Sequence, residues 1–129
     1  MTKLEWPDIE AALIADAINR LDVQAAPATP AALEGISFLR IQVVGGMDDS
    51  ITDTALVDVD AFAPTRDGAR DLAEKVRAWL HSATGHVFGG VLIDSVRTSL
   101  RPRWRNYGNP KIQRFVGSYW VSTRKAPAI

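Results

Sequence analysis

Residues 55–80, ALVDVDAFAPTRDGARDLAEKVRAWL, contain the two clearest secondary-structure patterns of the chain. In the first nine residues, apolar side chains alternate with Asp58 and Asp60, which is the period-two pattern of a strand with one buried face. After Pro64, apolar residues recur every three to four positions, as in an amphipathic helix. Thr65 suits the N-cap of that helix. This stretch therefore predicts a strand that leads directly into a helix.

The same patterns extend the prediction in both directions. A helix is predicted over residues 6–21, a proline-containing connector over 24–35, and strands over 36–44, 54–62, 90–100 and 111–124. The predicted order is α-β-β-α-β-β. Two helices cannot cover both faces of four strands, so we expect an α+β fold, a two-layer sandwich in which a four-stranded, mostly antiparallel sheet carries two main helices on one face. The 129 residues are predicted to form a single domain.

The last predicted strand carries large apolar side chains on both of its faces. Phe115, Tyr119 and Val121 point to one side, whereas Val116 and Trp120 point to the other. A strand with one face in water normally alternates apolar and polar residues. We therefore expect the second face of the sheet to be covered, either by another subunit or by a loop or the N-terminal segment of the same chain.

The charges of the chain sum to zero but are separated along the sequence. Residues 44–74 contain eight acidic and two basic residues, whereas residues 95–129 contain eight basic and no acidic residues. Such asymmetry concerns binding partners rather than the fold. The basic region could bind nucleic acid, or it could bind the acidic region of another copy of the chain.

The stretch RPRWRNYGNPKIQRFV, residues 101–116, is predicted to begin as a loop after the third strand. Arginines next to aromatic residues are typical of single-stranded nucleic-acid sites and also of protein–protein hot spots. The composition alone does not separate these two interpretations. The candidate interface residues are Arg101, Arg103, Trp104, Arg105, Tyr107, Lys111, Arg114 and Trp120. The complementary acidic surface is expected to comprise Asp48, Asp49, Asp53, Asp58 and Asp60.

The sequence contains no recognisable catalytic or cofactor motif. Asp48, Asp49 and Asp53 carry the oxygen ligands that Mg²⁺ or Ca²⁺ prefers, but their spacing does not match a calcium loop, and an acidic hairpin loop is the favoured interpretation. The absence of cysteine excludes disulfides and thiolate sites. We expect no enzymatic activity, no cofactor and no metal.

The sequence also predicts a soluble protein that does not bind membranes. No run of about 18 apolar residues is present, and the N-terminus lacks the pattern of a signal peptide. We therefore expect the protein to be made in the cytoplasm.

The block at residues 55–80 and the stretch WRNYGNPKIQRFVGSYWVSTR, residues 104–124, resemble tail terminator proteins of long-tailed, siphovirus-type bacteriophages. The resemblance covers roughly the second half of the chain, and the helix-first order fits it. It implies a structural virion protein that caps the tail tube as a homohexameric ring, ends tube polymerisation and provides the surface that joins the head connector.

The resemblance also implies partners and a location. The partners are other copies of the chain, the tail tube protein, a head-completion or connector protein, and non-specific contact with DNA in the lumen. The location is the head-proximal end of the tail in the virion, and the host cytoplasm during assembly. Two alternatives remain open. The first is another head–tail joining protein, such as a neck, head-closure or tail-completion protein, and the second is a nucleic-acid-binding module.

Overall fold

A computed structural model of the protein describes residues 4–127. The helices are α1 (Ile9–Leu21) and α2 (Arg66–His81). The strands are β1 (Leu4–Glu5), β2 (Gln24–Ala26), β3 (Phe38–Asp48), β4 (Thr52–Ala63), β5 (Val87–Phe88), β6 (Val91–Leu92), β7 (Ser95–Trp104), β8 (Gln113–Arg124) and β9 (Ala126–Pro127).

The main sheet has five strands in the order β2-β3-β4-β8-β7. Strand β2 is parallel to β3, and the other three pairs are antiparallel. The two short pairs β1–β9 and β5–β6 lie outside this sheet. The predicted α+β class is confirmed, but the predicted four-stranded sheet is wrong because residues 24–26, predicted as part of a connector, form β2.

The third predicted strand also differs from the structure. Residues 90–100 do not form one strand but contribute to β6 and β7, and β7 continues through Trp104 into the stretch that was predicted as a loop. Strand β7 lies at the edge of the sheet, where an N–H group that points outward needs no partner strand. An edge strand therefore tolerates Pro102, which the sequence pattern treats as a strand breaker.

Both helices pack on the same face of the main sheet. Helix α1 contacts β2 and β3, whereas α2 contacts β4, β7 and β8. The side chains of Val57, Tyr119 and Val121 point towards the helices and are almost completely buried. This is the alternation that the sequence predicts for the strands at 54–62 and 111–124, and it places the main core between the helices and the sheet.

One buried carboxylate links the two helices and the β5–β6 turn. Asp16 on α1 is 5% exposed and accepts hydrogen bonds from Trp79 Nε1 (2.8 Å) and from the backbone N–H of Gly89 (3.2 Å). The guanidinium Nε of Arg20 lies 3.2 Å from the same carboxylate. A buried polar group is costly unless it is paired, so these contacts make Asp16 part of the core.

The second face of the sheet is covered at one end by the chain itself. The segment between β2 and β3 and the connection between β7 and β8 supply Leu33 and Ile112, which pack with Phe38 and Phe62 in a second buried cluster. The ring of Tyr107 packs edge-on against Phe62, with centroids 5.3 Å apart. A loop of the same chain therefore provides the predicted cover at this end.

At the other end, the second face is not covered to the same extent. Trp120 and Leu56 are opposite each other on β8 and β4, and both are only partly buried. Met47 on β3 is 70% exposed. We call this region the open outer face.

Candidate assembly surface

The aspartates at 58 and 60, which look alike in the sequence, have different environments. Asp60 is 3% exposed, and its carboxylate lies 2.5 Å from Arg40 Nη2 and 3.7 Å from Arg114 Nη1. Burial raises the pKa of the Asp60 carboxyl, while the nearby guanidinium groups act in the opposite direction. Asp58 is partly buried and accepts a hydrogen bond from Ser118 Oγ (2.6 Å).

These contacts correct the predicted acidic surface. Asp60 does not lie on an exposed surface, because β4 turns it towards the second sheet face, where Arg40 and Arg114 enclose it. Asp58 lies on the same face, whereas Asp48 and Asp49 lie at the turn between β3 and β4. The five predicted aspartates therefore do not form one surface.

Two residues of the predicted basic interface stabilise the chain itself. Arg114 donates a hydrogen bond to the backbone oxygen of Asn106 (2.9 Å), and its guanidinium lies 5.3 Å from the centroid of the Tyr107 ring. Tyr107 in turn packs against Phe62. These contacts fix the connection between β7 and β8 on the sheet, although Tyr107 remains 38% exposed.

The two tryptophans of the predicted interface lie on opposite faces of the sheet. Trp104 is not in a loop but on β7 beside Phe115, on the face that carries the helices. Its Nε1 donates to Gln113 Oε1 (3.0 Å), the Arg66 guanidinium lies 5.1 Å from its ring centroid, and it is 39% exposed. Trp120 lies on the open outer face.

The other predicted basic residues are exposed. Arg101 and Arg103 lie on β7, which corrects their placement in a loop, whereas Arg105 and Lys111 lie in the connection to β8. Arg97, which lies outside the basic stretch at residues 101–116, is exposed on the same strand, opposite Trp120. We call Arg97, Arg101 and Arg103 the basic edge.

The turn between β3 and β4 is an ordered acidic turn. Asp49 Oδ1 accepts the backbone N–H groups of Ile51 and Thr52, both at 2.7 Å. These hydrogen bonds lower the pKa of the Asp49 carboxyl because they favour its charged form. Asp49 therefore has a structural role within the turn.

Asp48 and Asp53 border a cleft of 540 Å³ between the start of α1 and this turn. Asp8 and Glu10 of the N-terminal helix region line the same cleft. Burial and, to a smaller extent, the neighbouring Asp48 raise the pKa of the Asp53 carboxyl. We call this feature the acidic cleft. Within residues 4–127, no three potential metal-ligating side chains lie close enough together to hold an ion.

Exposed apolar side chains surround the acidic turn. Val44 is 50%, Met47 70% and Ile51 62% exposed. Sequence reasoning missed Met47 and Ile51 because they lie in the glycine- and aspartate-containing stretch that is predicted as an acidic loop, and it missed Val44 because this residue ends the strand predicted over residues 36–44. Leu100, which lies within the basic edge, is also 50% exposed. Monomeric proteins expose single apolar side chains routinely, but groups of them indicate binding surfaces.

The basic edge and the acidic cleft lie at opposite positions on the sheet. Asp48 pairs with Asp53 at the end of the sheet where β7 begins, whereas the connection that follows β7 lies at the other end. Strands β3 and β7 are separated by β4 and β8. The two charged surfaces therefore lie near opposite edges of the molecule.

No protein-family model matches the chain, and no curated protein is significantly similar to it. Among the helices within residues 4–127, none is long and apolar enough to cross a membrane.

Proposed function

We propose that the protein is a structural, non-enzymatic component of a bacteriophage virion that caps the tail tube as a homohexameric ring. The ring ends tube polymerisation at the head-proximal end of the tail and provides the surface for the head connector. The proposal starts from the resemblance of residues 55–80 and 104–124 to tail terminator proteins. Its structural support is the open outer face.

The open outer face supports an assembly role because it is too apolar for a strand face that remains in water. Trp120 and Leu56 lie side by side there, with Arg97 opposite Trp120 on the next strand. Tryptophan and arginine are the residues most enriched among those that dominate binding energy at protein interfaces. Residues 4–127 cover the opposite end of this face with loops but leave this part accessible.

The positions of the charged surfaces support a head-to-tail arrangement of subunits. In a cyclic ring each subunit contacts its two neighbours through two different surfaces, which must be complementary to each other. The basic edge and the acidic cleft have opposite charge and lie near opposite edges of the sheet. A two-fold dimer would instead need both surfaces within one self-complementary patch, which surfaces near opposite edges of the sheet do not form.

Native mass spectrometry over a concentration series tests the ring. We expect a hexamer as the largest closed species, either at high protein concentration or after addition of purified tail tubes. A dissociation series should pass through smaller oligomers, because each head-to-tail contact forms independently. A protein that remains monomeric at all concentrations and does not bind tubes would contradict the proposal.

The alternative as another head–tail joining protein differs in its binding partner. A tail terminator should bind the end of a purified tail tube in the absence of heads, whereas a head-completion protein should bind the portal or connector in the absence of tubes. Pull-down of the purified protein with each particle separates the two. Binding to tubes alone is the expected result.

The nucleic-acid alternative is tested by salt. Exposed arginines at the basic edge should give weak DNA binding whose affinity falls steeply with added salt, because each neutralised phosphate releases counterions. The Arg40 and Arg114 guanidinium groups contribute little to this binding because Asp60 is close to both. Tight, sequence-selective binding at physiological salt would favour the nucleic-acid module over the ring.

A further inference from the structure

The acidic cleft is lined by both carboxylates and apolar side chains. Four carboxylates line it, from Asp8, Glu10, Asp48 and Asp53, and no Lys or Arg among residues 4–127 does so. The apolar residues that line it are Pro7, Ile9, Val43, Met47 and Ala55. This combination suits an arginine or lysine side chain, whose aliphatic stem packs on apolar surface while its charged end meets carboxylates.

Two of the four carboxylates already accept hydrogen bonds from the chain itself. Asp8 caps α1 by accepting the N–H of Ala11 (3.1 Å), and Glu10 accepts the N–H of Val43 (2.9 Å). Asp48 and Asp53 have no ion-pair partner within residues 4–127. The charge of these two carboxylates is therefore available to a partner molecule.

The basic edge of the same subunit cannot reach this cleft. Three strand spacings separate β3 from β7, or roughly 14 Å across the sheet. Asp53 alternates with Ala55 on β4 and lies on the helix side, as does its partner Asp48 on β3. Arg97 and Arg103 lie on the outer face, where they pair with Trp120 and Val116. The two surfaces thus point in different directions.

Strand β7 is also a poor site for the addition of another strand. Its register shifts twice, between Thr98 and Leu100 and between Leu100 and Arg103, and Pro102 lacks an N–H group. Irregularities, proline and charged side chains on an edge strand prevent it from pairing with another sheet. A partner of this edge is therefore contacted through side chains rather than through backbone hydrogen bonds.

We propose that the basic edge of one subunit docks into the acidic cleft of the next subunit, so that Arg101 and Arg103 meet Asp48 and Asp53. The occupant of the cleft is a second copy of the chain, and this inference rests on the ring of the proposed function. Leu100 of the edge, Met47 of the cleft lining and the exposed Ile51 of the adjoining turn exclude water from the contact.

This contact also defines how the sheet lies in the ring. All subunits of a closed ring lie at the same height, yet the cleft and the two docking arginines, Arg101 and Arg103, lie towards different ends of the strands. The long strands must therefore be inclined to the ring axis. Strands parallel to the axis in an electron-microscopy reconstruction of the ring would contradict the contact.

Charge reversal tests the contact directly. The edge variant carries Arg101→Glu and Arg103→Glu, and the cleft variant carries Asp48→Lys and Asp53→Lys. Like charges opposed at a contact repel each other, so each variant alone should assemble about 100-fold more weakly than the wild type. Matched controls reverse two exposed charges on α2, Arg70→Glu with Lys75→Glu and Asp67→Lys with Asp71→Lys, and should assemble normally.

Mixing the two variants is the decisive step. A one-to-one mixture should recover assembly, because every contact between unlike variants pairs opposite charges again. Native mass spectrometry of variants that differ in isotope label identifies the mixed rings, and thermal melting verifies that each variant is folded. Should the cleft variant not fold, Asp48→Asn with Asp53→Asn replaces it, and its assembly should be weakened to a smaller extent.

The outcomes separate this inference from the proposed function. A wild-type ring that neither reversal weakens would refute the contact and leave the ring intact, as would two weakened variants whose mixture does not recover. A wild type that forms no ring, alone or on tubes, would refute the proposed function together with the contact.

Discussion

Replacement of Asp60 by alanine should be one of the most destabilising single substitutions in this protein. The side chain of Asp60 is 4% exposed and lies beside two guanidinium groups, at 2.5 Å and 3.7 Å. The side chains of Arg40 and Arg114 are 31% and 20% exposed, so water cannot fully replace the lost carboxylate. Removal of one member of a buried ion pair typically costs about 3–5 kcal/mol, and the partial exposure of both arginines places this site near ~3 kcal/mol.

Asp58→Ala is the matched control for this prediction. Asp58 lies two residues away on the same strand face, is partly buried, and accepts one hydrogen bond, from Ser118. Its loss should cost about 1 kcal/mol of unfolding free energy. Urea unfolding of the two variants, followed by circular dichroism, measures the difference.

A second variant tests the physical cause. If the cost of Asp60→Ala comes from the unpaired guanidinium groups, Arg40→Met in the Asp60→Ala background should be less destabilising than Arg40→Met in the wild type. The reasoning would be refuted if Asp60→Ala cost no more than Asp58→Ala, or if the two substitutions at 40 and 60 were simply additive.

Three further predictions address other parts of the molecule. Trp104→Ala should cost ~1–2 kcal/mol of unfolding free energy, less than the ~3–5 kcal/mol of a core aromatic, because the side chain is 39% exposed. It should also weaken assembly on tubes, and a normal thermal melt together with normal assembly would show that Trp104 has neither role. Gly89→Ala should cost more than the ~1–2 kcal/mol of a left-handed alanine, because its new Cβ would collide with the Ala12 carbonyl, whereas Gly90→Ala has free space and should cost only that amount in thermal melts. Burial raises the pKa of Tyr119 to about 12 from an ordinary 10.0, so the neutral phenol stabilises the fold below pH 10, and this contribution is lost as the pH rises to 12. The unfolding free energy of Tyr119→Phe, measured from pH 8 to 12, should lack this loss.

The elements with a regular period could be predicted from the sequence. The alternation in β4 and the three-to-four-residue spacing in α2 predicted both elements, and Thr65 caps α2 as expected, with its hydroxyl accepting the N–H of Gly68 (3.0 Å). Such patterns are visible because each element buries one continuous face. The placement of both helices on one face could be predicted because two helices are too few to cover both faces of the sheet.

The elements that depend on distant contacts could not be predicted. Strand β2 has three residues in an alanine- and proline-containing stretch without a period, and only its pairing with β3 defines it. Leu33 in that stretch is buried because it meets Phe62, a partner far along the chain. Local sequence contains no signal for such contacts.

Contacts between residues far apart in the sequence also determine the candidate site. Asp58 and Asp60 are the same residue type, lie on the same face of the predicted strand and have apolar neighbours on both sides. Nothing in the sequence therefore distinguishes the buried carboxylate from the partly buried one. Arg114 and Tyr107 look like exposed interface residues because their partners, Asp60 and Phe62, lie on another strand. The sequence shows that residues 101–116 are basic. It does not show which of these basic residues stabilise the fold and which remain exposed for a partner.

Electron microscopy of cognate tail tubes, mixed with the purified protein while the tube protein is polymerising, tests the central claim most directly. We predict that tubes stop elongating when the protein is added and that class averages show a six-membered ring at one end. Tubes that continue to elongate with bare ends, at protein concentrations well above that of tube ends, would contradict it.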